Sequence, residues 1–146
     1  MKLIKKVLPA IFIAILSTSI LAIPVYACDY GMTPGFWKNH PEYWPDNYYP
    51  STPFSDVFGC DVEGATLLEA LSFGGGPGIA GAKRILARAA VALWLNEMTF
   101  PGGSPNWVIQ QTCNAMSSGD RDTILSLAAQ FDIWNNQGPP PGWVWP

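Results

Sequence analysis

The longest apolar segment of the chain spans residues 7–23 and contains no charged side chain. Lysines precede it, and residues 25–27, Val-Tyr-Ala, follow it with residue types that a signal peptidase accepts. The pattern predicts a secretory signal peptide over residues 1–27. An uncleaved N-terminal anchor is the alternative, but the apolar run is short for a spanning helix and contains Pro9.

Hydrophobic positions recur at helical spacing in four later segments. The second of these segments is apolar around nearly its whole circumference, so we predict that it is the central helix and that it buries Trp94. Stretches rich in glycine, proline or polar residues separate the segments. The predicted helices are 65–73, 79–98, about 105–116, and a last helix that starts within 117–120 and ends within 135–138.

The two ends of the predicted domain are rich in proline and aromatic residues. Five prolines interrupt residues 29–59, which predicts an ordered aromatic loop wrapped over the helices, with one short helical turn at 36–40. Residues 139–146 are predicted to form an extended tail in which Trp143 and Trp145 are the most exposed tryptophans. The predicted fold is mainly α-helical: a small bundle of about four helices, residues 28–138 forming a single domain.

Charge changes the list of plausible partners. The chain has 8 basic and 11 acidic residues, and loss of residues 1–27 would remove three bases and no acid. Five bases against eleven acids give a net charge of −6, which argues against a nucleic-acid partner. Export also removes ATP and NAD from the plausible cofactors, and we expect no cofactor and no metal.

An odd number of cysteines in an exported chain requires an explanation. Cys28 would be the first residue after cleavage, where a bacterial lipoprotein carries its lipid, although Tyr26 is unusual before such a site. Lipidation of Cys28 would leave Cys60 and Cys113 as an even pair. An ordinary disulfide to Cys28, or a free thiol, is the alternative. Membrane contact is therefore expected only through the signal peptide or a lipidated Cys28.

No convincing catalytic set is found in the sequence. His40, the only histidine, could take part in acid–base chemistry with Lys38, Asn39 and Glu42, but hydrogen bonding within the turn before a proline is favoured. No pair of carboxylates is singled out by spacing. Residues 76–81 match G-x-G-x-x-G, but a helix precedes them, so we interpret them as a linker.

The aromatic residues carry the strongest indication of binding. Tryptophan and tyrosine rings stack on sugar faces, and exposed rings mark binding or assembly surfaces. The alternative is that Trp37, Trp44 and Trp94 belong to the hydrophobic core. The candidate binding residues are Trp44, Tyr48, Tyr49, Trp143 and Trp145.

The sequence Thr-Pro-Gly-Phe-Trp-Lys-Asn-His-Pro at residues 33–41, followed by Trp44-Pro45, is a specific string. It resembles the T-x-G-[FY]-W-K-N-H-P signature of a group of secreted and cell-surface proteins of bacteria and archaea. The resemblance implies a location rather than an activity, and many members of that group have a cysteine where this chain has Pro139. If the signature has a functional core, the matching positions are Trp37, Lys38, Asn39 and His40.

These observations favour a secreted or cell-surface module that is not an enzyme and serves in surface structure, adhesion or assembly. Its expected partners are an envelope component, a polysaccharide, or further copies of itself. A polysaccharide-binding module that uses exposed tryptophan and tyrosine is the first alternative. A secreted hydrolase centred on His40 is the second.

Overall fold

The computed structural model describes residues 29–146, so the predicted signal peptide and Cys28 lie outside the described residues. Helices dominate this part of the chain, and no strand occurs in it, so the mainly α prediction is confirmed. A 3₁₀ turn covers Pro41–Tyr43. The helices are α1 (Pro34–Asn39), α2 (Phe54–Phe58), α3 (Leu67–Leu71), α4 (Gly78–Thr99), α5 (Pro105–Ser117) and α6 (Arg121–Asn135).

The four predicted helices correspond to α3 through α6. The Thr66 hydroxyl accepts from the Glu69 N–H while the Glu69 carboxylate accepts from the Thr66 N–H, and this capping box starts α3 at Leu67. The proline-rich front contains more helix than predicted. A turn was expected at 36–40, where α1 lies, but α2 was not expected.

Helix α2 escapes pattern analysis because it is a single turn of five residues. Pro53 precedes it, and Gly59 ends it with a left-handed backbone (φ 76°). Phe54 and Phe58 are both buried and stack on each other with ring centroids 4.2 Å apart. One turn offers too few positions for a helical period, and tertiary packing determines the helix.

Helix α4 is the centre of the domain and packs against α1, α3, α5 and α6. It carries a row of alanines with no exposed surface, which lets neighbouring helices approach closely. Trp94 is buried, as predicted. Between residues 29 and 146, no helix has the combination of length and apolar character that crossing a membrane requires.

A disulfide joins Cys60, just after α2, to Cys113 on α5. The pairing that the sequence left open is therefore Cys60–Cys113. It closes a loop across 53 residues of sequence, and such a loop stabilises the folded state by about 4 kcal/mol through the entropy of the unfolded chain. A disulfide is compatible with an extracytoplasmic location.

The start and the end of the described chain are held together. Gly31 and Gly138 exchange two backbone hydrogen bonds of 2.9 Å each. A side chain at position 31 would clash with the carbonyl oxygen of Trp134, so this close approach requires glycine. The residues after Gly138 include a turn in which the Trp143 N–H donates to the carbonyl of Pro140 (3.0 Å).

Candidate functional site

A buried amide network attaches the signature segment to the centre of the fold. The Asn96 Oδ1 accepts from the Trp37 Nε1–H (2.9 Å) and from the backbone N–H of Met32 (2.8 Å). The Asn96 Nδ2 donates to the Met32 carbonyl (3.0 Å) and to Asn135 Oδ1 (2.8 Å). Asn135 in turn donates to the carbonyl of Ala89 (3.0 Å). The Asn96 amide thus makes four hydrogen bonds, two through each of its polar atoms.

Two tryptophans of the signature segment are held inside the protein. Trp37 is fully buried, and Trp44 is 8% exposed. The Trp44 Nε1–H donates to the carbonyl of Trp37 (2.9 Å). The alternative interpretation, in which Trp37 and Trp44 belong to the hydrophobic core, therefore agrees with the burial and the internal hydrogen bonds of both indoles.

The C-terminal tail packs on the outer side of the signature segment. Trp145 stacks on Tyr43, with ring centroids 4.7 Å apart, and on Phe36 at 4.9 Å. Trp143 meets Phe100 edge to face at 5.2 Å. Both tail tryptophans are half-buried, so the expectation that they would be the exposed ones is corrected. The rings of the front give the tail an apolar surface to cover.

A cleft of about 470 Å³ lies where the 3₁₀ turn, the end of α4 and the tail meet. Rings and oxygen-bearing side chains both line it, which is typical of sites for small polar ligands. Met98, exposed at the end of α4, also contributes to its wall. The lining residues that matter most are Glu42, Tyr43, Asp46, Thr99, Trp143 and Trp145.

The charged groups of the cleft are both acidic. His40 Nδ1 lies 2.8 Å from Glu42 Oε1, and this hydrogen bond, together with one to backbone, lowers the pKa of the Glu42 carboxyl. Asp46 is exposed, and its carboxylate has neither a hydrogen bond nor an ion pair with another described residue. No lysine or arginine of the described chain lines the cleft.

Two polar atoms of the cleft residues lack hydrogen-bond partners within the described chain. They are the Thr99 hydroxyl oxygen and the Trp143 indole nitrogen, and both are buried. Buried polar atoms are nearly always paired in native proteins, so two exceptions at one cleft require an explanation. A ligand that carries hydroxyl groups offers both donors and acceptors to such atoms.

The remaining candidates lie elsewhere or have structural partners. Tyr48 packs edge to face on Trp94 at 4.6 Å, and Tyr49 is 64% exposed outside the cleft. The Asn39 side chain donates to the carbonyl of Gly35 (2.9 Å) and so closes α1, whereas Lys38 is exposed on that helix.

The sequence singled out some cleft residues and missed others. It identified the tail tryptophans but gave no reason to join them to Thr99 and Met98, which tertiary contact brings there from the end of α4. No spacing in the sequence singled out a pair of carboxylates, so Glu42 and Asp46 were not distinguished from the other acidic residues. Their closeness to Tyr43 along the chain was visible in the sequence, but the cleft was not.

A larger cavity of about 550 Å³ beside α3 is less suited to a ligand. Its two carboxylates already have partners: Glu63 pairs with Arg84 (2.7 Å), and Glu69 accepts from the N–H of Thr66 (2.8 Å). Ser72 is the one lining residue of the described chain with a side-chain hydroxyl, and this hydroxyl donates to the carbonyl of Leu68 (3.1 Å). Its polar groups therefore have little free hydrogen-bonding capacity.

His40 has a carboxylate partner but no recognisable nucleophile. Its ring lies 4.7 Å from the Phe36 ring and 5.5 Å from that of Tyr43. No hydrogen bond joins it to a serine or cysteine of the described residues. Within residues 29–146 there is also no group of three His, Cys, Asp or Glu side chains arranged to hold a metal ion.

Comparisons of the chain with protein-family models, with curated proteins and with solved structures give no match. Residues 29–146 form a small helical domain with a Cys60–Cys113 disulfide and an acidic, aromatic cleft.

Proposed function

We propose that this chain is an exported, non-catalytic module of the cell surface or extracellular space that binds a polysaccharide. The observation that carries the proposal is the cleft itself, where Tyr43, Trp143 and Trp145 lie beside the carboxylates of Glu42 and Asp46. The polysaccharide-binding alternative and the envelope module thereby become one hypothesis. Surface structure or adhesion would follow from the attachment of this domain to a glycan.

The chemistry of the cleft suits a sugar. Pyranose rings have apolar C–H faces that pack on aromatic rings, and their hydroxyls form hydrogen bonds with carboxylates. Thr99 and Trp143, whose buried Oγ1 and Nε1 atoms have no partner among the described residues, also belong to the lining of this cleft.

Export is supported by three independent observations. Residues 1–27 have the composition of a signal peptide, the Cys60–Cys113 disulfide suits an oxidising compartment, and the signature resembles that of envelope proteins. Because Cys60 and Cys113 pair with each other, neither is a partner for Cys28. We propose that Cys28 carries a lipid anchor; an intact mass of residues 28–146 plus a diacylglycerol group would support this, and an unmodified mass would contradict it.

The proposal that the module is non-catalytic has support at Glu42. A glycosidase needs a carboxylic acid that retains its proton near neutral pH, and its pKa is usually raised for this purpose. The hydrogen bond from His40 lowers the pKa of Glu42 instead. The Glu42 carboxylate is therefore better suited to holding a negative charge than to donating a proton.

The proposal is tested by titrating the protein with soluble glycan oligomers and following tryptophan fluorescence and heat of binding. We expect saturable binding and about a tenfold loss of affinity in W145A, since one ring–sugar stack is removed. The matched control is W134A, which removes a half-buried indole on α6 outside the cleft. Absence of binding to neutral, acidic and amino-sugar oligomers alike, or equal losses in both variants, would refute the proposal.

A further inference from the structure

We infer that the glycan bound by this cleft is cationic, a polymer of amino sugars whose free amines are protonated. This inference rests on the proposed function and names the class of polysaccharide. Its basis is the combination of two carboxylates, stacked aromatic rings and the absence of lysine and arginine among the described residues that line the cleft.

The carboxylates of the cleft are complementary in charge to a cationic ligand. Asp46 is exposed and unpaired among the described residues, and the hydrogen bond with His40 holds the pKa of the Glu42 carboxyl below its ordinary value, which favours the charged form. An ammonium group near Asp46 would gain a charge-assisted hydrogen bond that a neutral hydroxyl does not provide. A uronic-acid or phosphate polymer would bring like charge to both carboxylates.

The position of the aromatic rings beside the carboxylates also favours a cationic ligand. Tyr43 and Trp145 stack at 4.7 Å and line the cleft together with Glu42 and Asp46. A cation within about 6 Å of a ring centroid is attracted by the negative face of the ring. Carboxylates and aromatic rings in one cleft are thus complementary to a ligand that is apolar on its faces and cationic at one substituent.

The test compares two ligands that differ in charge and in little else. Oligomers of glucosamine carry free amines, whereas oligomers of N-acetylglucosamine of the same length and linkage are neutral. Below the pKa of the amine, we expect the full-length mature protein to bind the glucosamine oligomer about tenfold more tightly. Added salt should reduce this difference because it screens exposed charges.

Two variants locate the effect. D46N should weaken binding of the glucosamine oligomer roughly threefold to fivefold and leave binding of the acetylated oligomer nearly unchanged. The matched control D56N makes the same change at an exposed position on α2 outside the cleft, and it should change neither affinity. Equal weakening by both variants would show a long-range charge effect and overturn the inference.

The outcomes separate this inference from the proposal beneath it. Equal or tighter binding of the acetylated oligomer would overturn the cationic inference and leave polysaccharide binding intact. Trilysine serves as a probe that has ammonium groups without a sugar ring, and tighter binding of trilysine than of the glucosamine oligomer would also overturn the inference. Binding of none of the tested glycans would remove the proposed function itself.

Discussion

Asn96 and Thr99 lie one turn apart on α4 and show two different uses of a polar side chain. Asn96 is fully buried, and its amide makes four hydrogen bonds that connect α4 with α1 and α6. Thr99 lines the cleft, and its buried hydroxyl has no hydrogen-bond partner within the described chain. The amide network holds the elements of the fold together, whereas the Thr99 hydroxyl contributes no hydrogen bond to the fold among the described residues.

The largest expected effect on stability comes from the disulfide, which belongs neither to the amide network nor to the cleft. Replacing Cys60 and Cys113 by serine should lower the free energy of unfolding by about 4 kcal/mol, because the unfolded chain regains the entropy of an open loop. Urea denaturation measures this loss. The residual folded protein should still bind glycan with unchanged affinity, and a proportional loss of affinity would show that the cleft depends on the α2–α5 link.

The second prediction concerns the amide network and replaces Asn96. N96A should lower the free energy of unfolding by about 3 kcal/mol, since it leaves the indole N–H of Trp37 and the amide of Asn135 with unmet hydrogen bonds in the core. The matched control is N39A, an exposed asparagine with one hydrogen bond to Gly35, which should cost less than about 1 kcal/mol. Similar losses in the two variants would contradict the importance of the network.

The third prediction makes one substitution at a paired and at an unpaired threonine. T99V should raise the free energy of unfolding by about 1 kcal/mol because it removes a buried hydroxyl that has no partner in the described part of the chain. T112V should lower it by about 1 kcal/mol, because the buried Thr112 hydroxyl donates to the carbonyl of Val108 (2.7 Å). Glycan affinity should fall in T99V alone. A destabilised T99V would contradict the assignment of an unpaired hydroxyl.

The smallest effect concerns Asp132, at the edge of the amide network beside Asn135. Burial raises the pKa of this carboxyl above its ordinary value, although Arg88 opposes the change. The charged form is therefore disfavoured in the folded state, and this cost applies fully above the folded-state pKa. D132N should gain less than about 1 kcal/mol at neutral pH, with the gain vanishing as pH falls below the ordinary pKa of aspartate. A gain independent of pH would contradict this cause.

Much of the helical body could be predicted because its pattern is local. Helix α4 is apolar around its circumference over many residues, and α5 and α6 carry apolar stripes. The helical spacing of these apolar residues and the helix-breaking segments between them indicate the same helices. The single-turn helix α2 could not be predicted, since its formation depends on burying Phe54 and Phe58 against distant residues.

The candidate site could be predicted only in part. Its aromatic character was evident, but the roles within it were not. Whether a tryptophan is buried in the core or lines the cleft depends on partners that lie far away in sequence. Trp37, for example, donates to Asn96, which is 59 residues away. The fold places the tail over the signature segment, and no local pattern in a proline-rich octapeptide specifies that contact.

The most direct test of the account is a ¹⁵N NMR titration that follows the tryptophan indole N–H signals during glycan binding. The indole N–H groups of Trp37 and Trp44 already donate inside the protein, whereas that of Trp143 has no partner among residues 29–146. We predict that saturating glucosamine oligomer shifts the Trp143 signal strongly and leaves those of Trp37 and Trp44 nearly in place. Saturable binding that leaves the Trp143 signal unmoved would contradict the claim that this cleft is the binding site.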